Sequence, residues 1–545
     1  MAASKLTNEE KLKRLIYVCN VNPKYYCGGP DKYVRVCKQR FELLQEMMKE
    51  NHEELIGVMQ SVNSDPLIPY RSIIYHTLAY GAVISGDAKC KNAVSRSVLG
   101  LIKSDKELFD FIMYSTKFHT QAKISKSVRK TITAFYKKKS STELAQLYAA
   151  SKSCHGWSHK DLIKLCHLKS ESTTYNAVVN YILTNKIVDN NDDEAKKLIE
   201  VMRKSDTLRK TSDLKIAVPL IEELKATIHQ VEPKLKKSAE VWNAALSNMS
   251  LADVLNSMPK LYKLGFLKKD SPIQSKIAEL LTNSDTIKSS NVHPMEVFIH
   301  MKNFEKGGKP LDVKLLAHLI EEKKLPDEEI AKLKTANEVK CQILLGNLLK
   351  CMSISCKNVR PIGKRYLITI DTTDKMDAPC LSNKTITGIE AAAAFAWYLL
   401  RVEQSVTVAV FKEKEISLVP LERKGQLKEH IGKLREKKSK YLHLAAPFEW
   451  ALTNKKHFDV FLNFVHHNEY CAGAPEGARE KIAKPMEAFQ KYKQKLKEPN
   501  AKLVNFCLSS PHLDVADGSP NVLDVSGLDL GVPKLVEAFC RDNFH

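Results

Sequence analysis

PIGKRYLITID, residues 361–371, divides the sequence into two patterns of different periodicity. Its second half is a short run of β-branched and apolar residues ending in Asp371, as is typical of a buried strand. Before this segment, apolar residues recur every three or four positions, and after it short apolar runs alternate with helical stretches. The segment therefore predicts a mainly α-helical part, residues 1–360, followed by an α/β domain, residues 361–545.

The helical pattern extends over about residues 34–355. Apolar residues have helical spacing in residues 34–62, 213–231, 241–258 and 326–352. Short polar turns separate such segments, and we expect no strand in this part. Helices joined by short turns over this length favour an α-solenoid of the HEAT-like type. Because no strict repeat is present, a compact irregular helical domain is the alternative.

After residue 361, predicted strands alternate with predicted helices, which indicates a mostly parallel sheet. Ligands of such sheets bind at the carboxyl ends of strands, so Asp371 stands where a ligand would bind. The predicted strands are residues 364–371, 405–411, 415–421, 457–465 and 502–508, and the clearest helices are residues 387–402 and 477–497.

The composition points to a negatively charged partner. The chain has 545 residues, with 85 Lys and Arg against 63 Asp and Glu, giving a net charge of +22. This bias favours nucleic acid as the partner, and a basic protein without such a partner is the alternative. The thirteen cysteines form no CxxC pair and match no zinc module. Neither a secretory signal nor a membrane span is predicted, so we expect reduced thiols in the cytoplasm, with the nucleus also open.

The positive charge is concentrated between residues 117 and 169, where twelve Lys and Arg face two acidic residues, Glu143 and Asp161. Lysines and arginines neutralise phosphates, and exposed aromatic rings stack on unpaired bases. Phe135 and Tyr148 fit an apolar helix face and are expected in the core. Trp157 is the best candidate for stacking, with a structural staple as the alternative.

A helix is predicted from His159 to about residue 168, capped by Ser158 together with Asp161. Its apolar face is expected to bury Leu162, Leu165 and Cys166, and its opposite face to expose Lys160, Lys164 and His167. The two lysines beside His167 argue against a metal ion here. A redox pair of Cys154 and Cys166 is disfavoured in a reducing compartment.

GWSHKDLIKLCHLK, residues 156–169, resembles the signature of the Ro ribonucleoprotein autoantigen family, the TROVE domain. The resemblance covers nearly the whole chain. Further family-like segments follow the same order: SVRKTITAFY (127–136), LIEELK (220–225), His293-Pro294, PDEEI (326–330), PIGKRYLITID (361–371) and NEYCAG (468–473).

The resemblance implies a ring of HEAT-like helical repeats, residues 1–360, closed by a von Willebrand factor A-like domain, residues 361–545. It implies a non-enzymatic, monomeric core of a ribonucleoprotein that binds small noncoding Y RNA. Misfolded small RNAs with single-stranded ends, such as defective 5S rRNA precursors, are also implied ligands. The implied role of the protein is in RNA stability and quality control. The alternative is a helical-repeat scaffold for proteins, with the A-like domain as a docking site. A metal-dependent nuclease or phosphatase is disfavoured because carboxylates do not cluster at the strand ends.

The family's RNA-binding region corresponds to about residues 103–256. Here His167 matches a histidine implicated in RNA binding, whereas Ala150 and Cys154 stand where the family has a lysine and an arginine, with Lys152 between them. The candidate RNA-binding residues are Lys123, Lys126, Arg129, Lys130, Lys152, Trp157, Lys160, Lys164, His167 and Lys169.

A-like domains bind a divalent cation through Asp-x-Ser-x-Ser and more distant residues. Asp371 and Thr373 match this motif, but Lys375 replaces a ligand and is expected to pair with Asp371. His466 or His467 stands near the later acidic position, and AAPFEW (445–450) offers no convincing threonine. We therefore predict a vestigial metal site and no cofactor. A site for a cation such as Mg²⁺ rebuilt with Asp374 or Asp377 is the alternative.

Overall fold

The structure is a computed structural model with full side chains. It describes residues 6–19, 24–27, 38–119, 123–151, 153–186, 192–307, 339, 341–440, 442–466, 484–511 and 515–544. The family-like segments 326–330 and 468–473 lie outside these ranges, as do Lys152 and His467.

Polar residues cap the helices of the helical part. Thr7, Ser104 and Ser140 each accept a hydrogen bond from a backbone N–H three residues later, and the Glu at that position bonds back to the cap. The described helices of this part are α1 (Asn8–Tyr17), α2 (Lys38–Glu50), α3 (His52–Asn63), α4 (Ser72–Ile84), α5 (Ala88–Leu101), α6 (Asp105–Phe118), α7 (Lys126–Lys137), α8 (Ser141–Ala150), α9 (His159–Cys166), α10 (Thr173–Thr184), α11 (Asp193–Lys210), α12 (Leu214–Glu223), α13 (Ala239–Ala245), α14 (Leu251–Lys263), α15 (Pro272–Thr282), α16 (Ser284–Ser290), α17 (Pro294–Glu305) and α18 (Gln342–Ser355).

These helices pack mainly on helices close to them in the sequence. For example, α4 packs on α6, and α5 packs on α7. Contacts of this kind are typical of helical arrays. The prediction of a mostly helical first part is confirmed. Short 3₁₀ turns are found at Ile228–Gln230, Pro233–Lys237, Leu246–Asn248 and Cys356–Asn358.

The expectation that residues 34–355 lack strands is wrong at one place in the described chain. Strands β2 (Ser153–Cys154) and β3 (Trp157–Ser158) form a small antiparallel hairpin. His155 and Gly156 occupy its turn, and both have positive φ, of 52° and 80°. Such left-handed conformations favour Gly at a two-residue hairpin turn, which is the local reason for Gly156.

The C-terminal part is an α/β domain built on a seven-stranded sheet of order β1-β11-β10-β9-β4-β7-β8. Neighbouring strands are parallel except for the β7–β8 pair. The mostly parallel sheet predicted from the sequence is therefore confirmed. The sheet strands are β1 (Lys24–Tyr26), β4 (Arg365–Ile370), β7 (Ser405–Lys412), β8 (Glu415–Leu418), β9 (Val460–Val465), β10 (Lys502–Cys507) and β11 (Val522–Ser526); β5 (Pro379–Cys380) and β6 (Asn383–Thr387) form a separate hairpin. The described helices are α19 (Gly388–Val402), α20 (Leu427–Arg435), α21 (Ala446–Thr453), α22 (Pro485–Lys495) and α23 (Val532–Cys540), with a 3₁₀ turn at Asp374–Asp377.

Both ends of the helical part contact this domain. At the N-terminal end, β1 adds to the sheet edge beside β11, and the Tyr17 ring stacks on Phe544 with centroids 4.7 Å apart. At the other end, the Lys302 ammonium of α17 lies 2.9 Å from the Glu390 carboxylate of α19. A closed ring requires contacts of this kind at both ends. The division at residue 361 stays a prediction, and the sheet takes one strand from before it.

The three neighbouring strands β9, β10 and β11 are buried along their whole length, as expected for a parallel sheet covered on both faces. Polar side chains cross them in register. Asn463 Nδ2 donates to Asn505 Oδ1 at 3.2 Å, and Asn505 Nδ2 donates to Asp524 Oδ1 at 3.1 Å. Asp524 Oδ2 also accepts the N–H groups of Val515 and Ala516. Burial raises the pKa of Asp524 to about 7, even though these hydrogen bonds favour its charged form.

In the ranges described above, each helix is too short or too polar to cross a lipid bilayer.

Candidate nucleic-acid interface

Helices α7 and α9 of the basic stretch lie side by side. Each helix packs on the core through fully buried apolar side chains, which are Val128 and Ile132 in α7 and Leu162 and Ile163 in α9. At the end of α9, Cys166 Sγ lies 3.8 Å from the backbone oxygen of Arg129 in α7. The exposed sides of the two helices therefore adjoin.

The basic candidates on or beside these two helices are all exposed, and we call them the cationic face. Its members are Lys123, Lys126, Arg129, Lys130, Lys160, Lys164, His167 and Lys169.

The charges of the cationic face are not neutralised by nearby carboxylates. Within the described chain, none of its members forms an ion pair; the lysine of the stretch that does form one is Lys139, which pairs with Glu143 at 3.6 Å. Both acidic residues of the stretch are engaged in helix caps, Glu143 with the N–H of Ser140 and Asp161 with that of Ser158. The cations are therefore left available for an external polyanion.

Helix α9 begins as predicted, because Ser158 and Asp161 form a reciprocal capping box. Lys160, Lys164 and His167 are exposed, which confirms that side of the helix. His167 ends the helix in the left-handed conformation, with φ 48° and ψ 48°.

The predicted buried face of α9 needs a correction. Ile163 is fully buried, whereas Leu165 and Cys166 are only half-buried. The physical reason is that the side of the helix facing the core carries His159, Leu162 and Ile163. The buried face is therefore rotated by about one residue from the predicted one. Partial burial still raises the pKa of the Cys166 thiol.

His159 has a structural role that the sequence did not reveal. Its ring is completely buried, and its Nδ1 lies 2.7 Å from the Tyr136 hydroxyl. Its Nε2 lies 3.9 Å from the Asp105 carboxylate. Burial acts to raise the pKa of Asp105, but the interactions with His159 outweigh it and lower the pKa. The polar contacts of His159 thus tie α9 to α6 and α7.

Among the aromatic residues of the stretch, Phe135 and Tyr148 are buried as predicted, and Tyr136 is buried too. Trp157 is half-buried in β3, opposite Cys154, and packs against the main hydrophobic core. This contact favours the alternative that Trp157 has a structural role, packing the hairpin against the core. Stacking of Trp157 on a base stays a prediction.

A groove between α5 and α7 adds a cation that the sequence did not single out. It has a volume of about 410 Å³, and Arg96, Lys130, Ser127 and Thr131 line it. Arg96 is exposed. It was missed because it lies before the dense basic stretch, and only the packing of α5 on α7 brings it beside Lys130.

At the carboxyl end of β4, the Asp371 carboxylate is completely buried. Its Oδ1 accepts the N–H of Thr373 at 2.8 Å, and its Oδ2 accepts the N–H of His466 at 3.2 Å. Burial raises the pKa of Asp371, against these hydrogen bonds and the more distant charge of Lys375. Each oxygen of this carboxylate therefore accepts a hydrogen bond from the backbone.

The domain that contains this strand end matches a known family. The Ro60 vWA domain family matches residues 365–540. Residues 365–540 are similar to the Ro60 vWA domain, and we use that name for them below. The resemblance to the Ro family that the sequence predicted is confirmed.

Whole-chain comparisons agree with this assignment. The chain is 21% identical over 547 residues to the RNA-binding protein RO60 of Deinococcus radiodurans, covering 98% of this chain and 93% of that protein. It is 22% identical over 605 residues to the RNA-binding protein RO60 of Caenorhabditis elegans, covering 98% and 88%. The crystal structure of the Deinococcus radiodurans RO (RSR) protein superposes with a TM-score of 0.80 at 20% identity, covering 98% of this chain and all of that one. This superposition extends the likeness in fold beyond the Ro60 vWA domain to the helical part.

The strand end of this Ro60 vWA domain does not fit a divalent cation well. Asp374 pairs with Lys438 at 2.8 Å, and Asp377 pairs with Arg435 at 2.6 Å. Within the described ranges, no three His, Cys, Asp or Glu side chains gather as metal ligands would. A hard cation requires several free oxygens, and here the acidic groups beside Asp371 already have cationic partners.

The predicted pairing of Lys375 with Asp371 is wrong. Lys375 is exposed and forms no ion pair with the buried carboxylate. The reason is that Lys375 lies in the 3₁₀ turn Asp374–Asp377, where its side chain is exposed, whereas Asp371 is completely buried.

Proposed function

We propose that this chain is a non-enzymatic RNA-binding protein that holds small structured RNA on its cationic face. The observation that carries the proposal is a set of exposed cations on and beside two adjoining helices, none of which forms an ion pair within the described chain. Both acidic residues of the stretch 117–169 are used in helix caps. Such a face binds phosphates and releases their counterions. Both proteins compared above by sequence are named RNA-binding protein RO60, which supports the same ligand class.

The finer proposal is that the ligands are Y RNA and misfolded small RNAs, including defective 5S rRNA precursors, and that the role is RNA stability and quality control. The proposal includes a monomeric, closed ring, because a ring can admit the single-stranded end of a misfolded RNA. The contacts of both ends of the helical part with the Ro60 vWA domain favour such a ring. We place the protein in the cytoplasm, with the nucleus also open, and propose no cofactor.

The test is a filter-binding titration of a labelled RNA hairpin carrying a single-stranded tail, over a series of salt concentrations. We expect the logarithm of the affinity to fall linearly with the logarithm of the salt concentration, by about 0.7–0.9 per phosphate contact. Lys160→Gln/Lys164→Gln should weaken binding and flatten the slope. His167→Asn should weaken binding several-fold without lowering the melting temperature, since Asn tolerates the left-handed conformation.

The matched control is Lys268→Gln/Lys269→Gln. These two lysines are exposed, lie in the helical part beyond residue 256 and carry the same total charge. Equal loss of affinity in both double variants would show that only net charge matters. Tight binding with a flat salt dependence would refute the proposal, as would a preference for unrelated double-stranded DNA.

A further inference from the structure

A second group of uncompensated cations lies at the junction of the helical part with the Ro60 vWA domain. It lines an open pocket of about 700 Å³ between the end of α18, the end of α19 and the loop that follows β8. Lys357, Arg401, Arg423 and Lys424 contribute four positive charges, and the pocket lining contains no Asp or Glu. In the part of the chain that the structure describes, no carboxylate forms an ion pair with any of the four.

Backbone groups and an aromatic ring hold the two arginines in place. The Arg401 guanidinium lies 3.5 Å from the centroid of the Trp397 ring and donates to the Gly425 oxygen at 2.8 Å. Arg423 donates to the backbone oxygen of Arg401 at 3.2 Å. Because these acceptors are neutral, the guanidinium groups are positioned without losing their charge.

Stabilisation of the C-terminal end of α19 explains only two of these four cations. Arg401 is in the last turn of α19, where the helix dipole favours cations, and Arg423 reaches the same end. Lys357 belongs to the 3₁₀ turn after α18, and Lys424 is an exposed loop residue with no carbonyl of α19 as its acceptor. Three separate elements therefore bring cations to one pocket, which a capping role does not require.

We propose that this pocket binds phosphate groups of the same RNA that the cationic face holds, so that the Ro60 vWA domain supplies a second RNA contact. The inference rests on the proposed function. Guanidinium groups match the paired oxygens of a phosphodiester, and neighbouring cations match successive phosphates of a flexible single strand. A strand held at two places gains affinity because the second contact forms at a high effective concentration.

The experiment uses the full chain and a fluorescein-labelled RNA hairpin with a single-stranded tail on the order of ten nucleotides, a length typical of single-strand sites. Arg423→Gln/Lys424→Gln removes two exposed charges from the pocket. Lys491→Gln/Lys495→Gln removes two exposed charges from α22 of the same domain and is the control. We expect the pocket variant to bind several-fold more weakly, with the salt slope reduced by about 0.7 for each lost contact. The control should match the wild type.

Three outcomes separate the possibilities. If the pocket variant behaves like its control while Lys160→Gln/Lys164→Gln still weakens binding, the second contact is refuted and the proposed function stands. If neither the pocket nor the cationic face matters, both proposals fail. If an oligoglutamate peptide binds the wild type but not the pocket variant, and RNA binding is unchanged, the pocket serves an acidic protein and the inference is overturned.

Discussion

The charged groups of the cationic face are exposed and form no ion pair within the described chain, whereas the charged group at the strand end, Asp371, is buried and hydrogen-bonded. On α7 and α9 the basic side chains are exposed, and the only acids of the stretch are used to cap helices. At Asp371 the charge is completely buried and backbone N–H groups satisfy it. The first region is therefore ready for an external partner, and in the second the carboxylate is satisfied within the protein.

The largest expected effect concerns the apolar support of the cationic face. Leu162→Ala removes a fully buried side chain and should lower the free energy of unfolding by about 2–5 kcal/mol. Lys164→Gln, two residues away on the exposed side, should change it by less than about 0.5 kcal/mol. Urea denaturation measures both. Leu165→Ala should fall between them because Leu165 is half-buried, and similar losses for Lys164→Gln and Leu162→Ala would mean that the two sides of α9 are not distinct.

The second effect is a pH dependence of stability that arises from the buried sheet. The folded-state pKa of Asp524, about 7, lies above the ordinary value of 3.8, so the native state binds the proton more tightly. Its contribution to stability is present in full below pH 3.8 and is lost as the pH rises through 7. The change is on the order of a few kcal/mol.

Urea midpoints between pH 5 and pH 8 provide the measurement for this effect. Asp524→Asn should flatten the pH dependence because an Asn side chain does not titrate. The variant should still fold, because the Asn505 amide can turn to present either its oxygen or its NH₂ group. A profile unchanged in Asp524→Asn would assign the dependence to another group, such as Asp371.

The third effect tests whether the strand end is internally satisfied. Asp371→Asn places an NH₂ donor against a backbone N–H donor, because both carboxylate oxygens accept from the backbone. The loss should be about 1–3 kcal/mol, the cost of an unsatisfied buried group. Calorimetric titration of the wild type with Mg²⁺ should give no binding heat. Tight binding that Asp371→Ala abolishes would show that a metal site is present after all.

The smallest effect is expected at Lys375. Lys375→Ala should alter the free energy of unfolding by less than about 0.5 kcal/mol, because the exposed ammonium does not pair with Asp371. Thermal unfolding of this variant beside Asp371→Asn separates the two roles directly. A loss of stability for Lys375→Ala as large as that for Asp371→Asn would show that Lys375 does pair with Asp371, as the sequence suggested.

Local patterns predicted much of this structure because local physics dominates there. Strand β4 and the start of α9 follow from a β-branched run and a capping box, which need no distant partner. The exposure of Lys160 and Lys164 follows from helical periodicity.

What the sequence did not predict depends on distant contacts. Strand β1 has three residues and gains its pairing from β11 near the other end of the chain. The His466 N–H that satisfies Asp371 is 95 positions away, and Arg96 joins the groove beside Lys130 only through helix packing. Neither spacing nor composition carries information of this kind.

The place of β1 in the sheet also has a consequence for the time course of folding. Tyr25 and Asp529, whose side chains hydrogen-bond, are 504 positions apart. A ribosome adding about 5–20 residues per second needs on the order of a minute to cover that distance. During this interval the N-terminal strand has been made but its neighbour does not yet exist. Pairing of β1 with β11 therefore waits until residues 522–526 have been made, and a nascent chain halted before residue 522 keeps its first strand open to cellular chaperones.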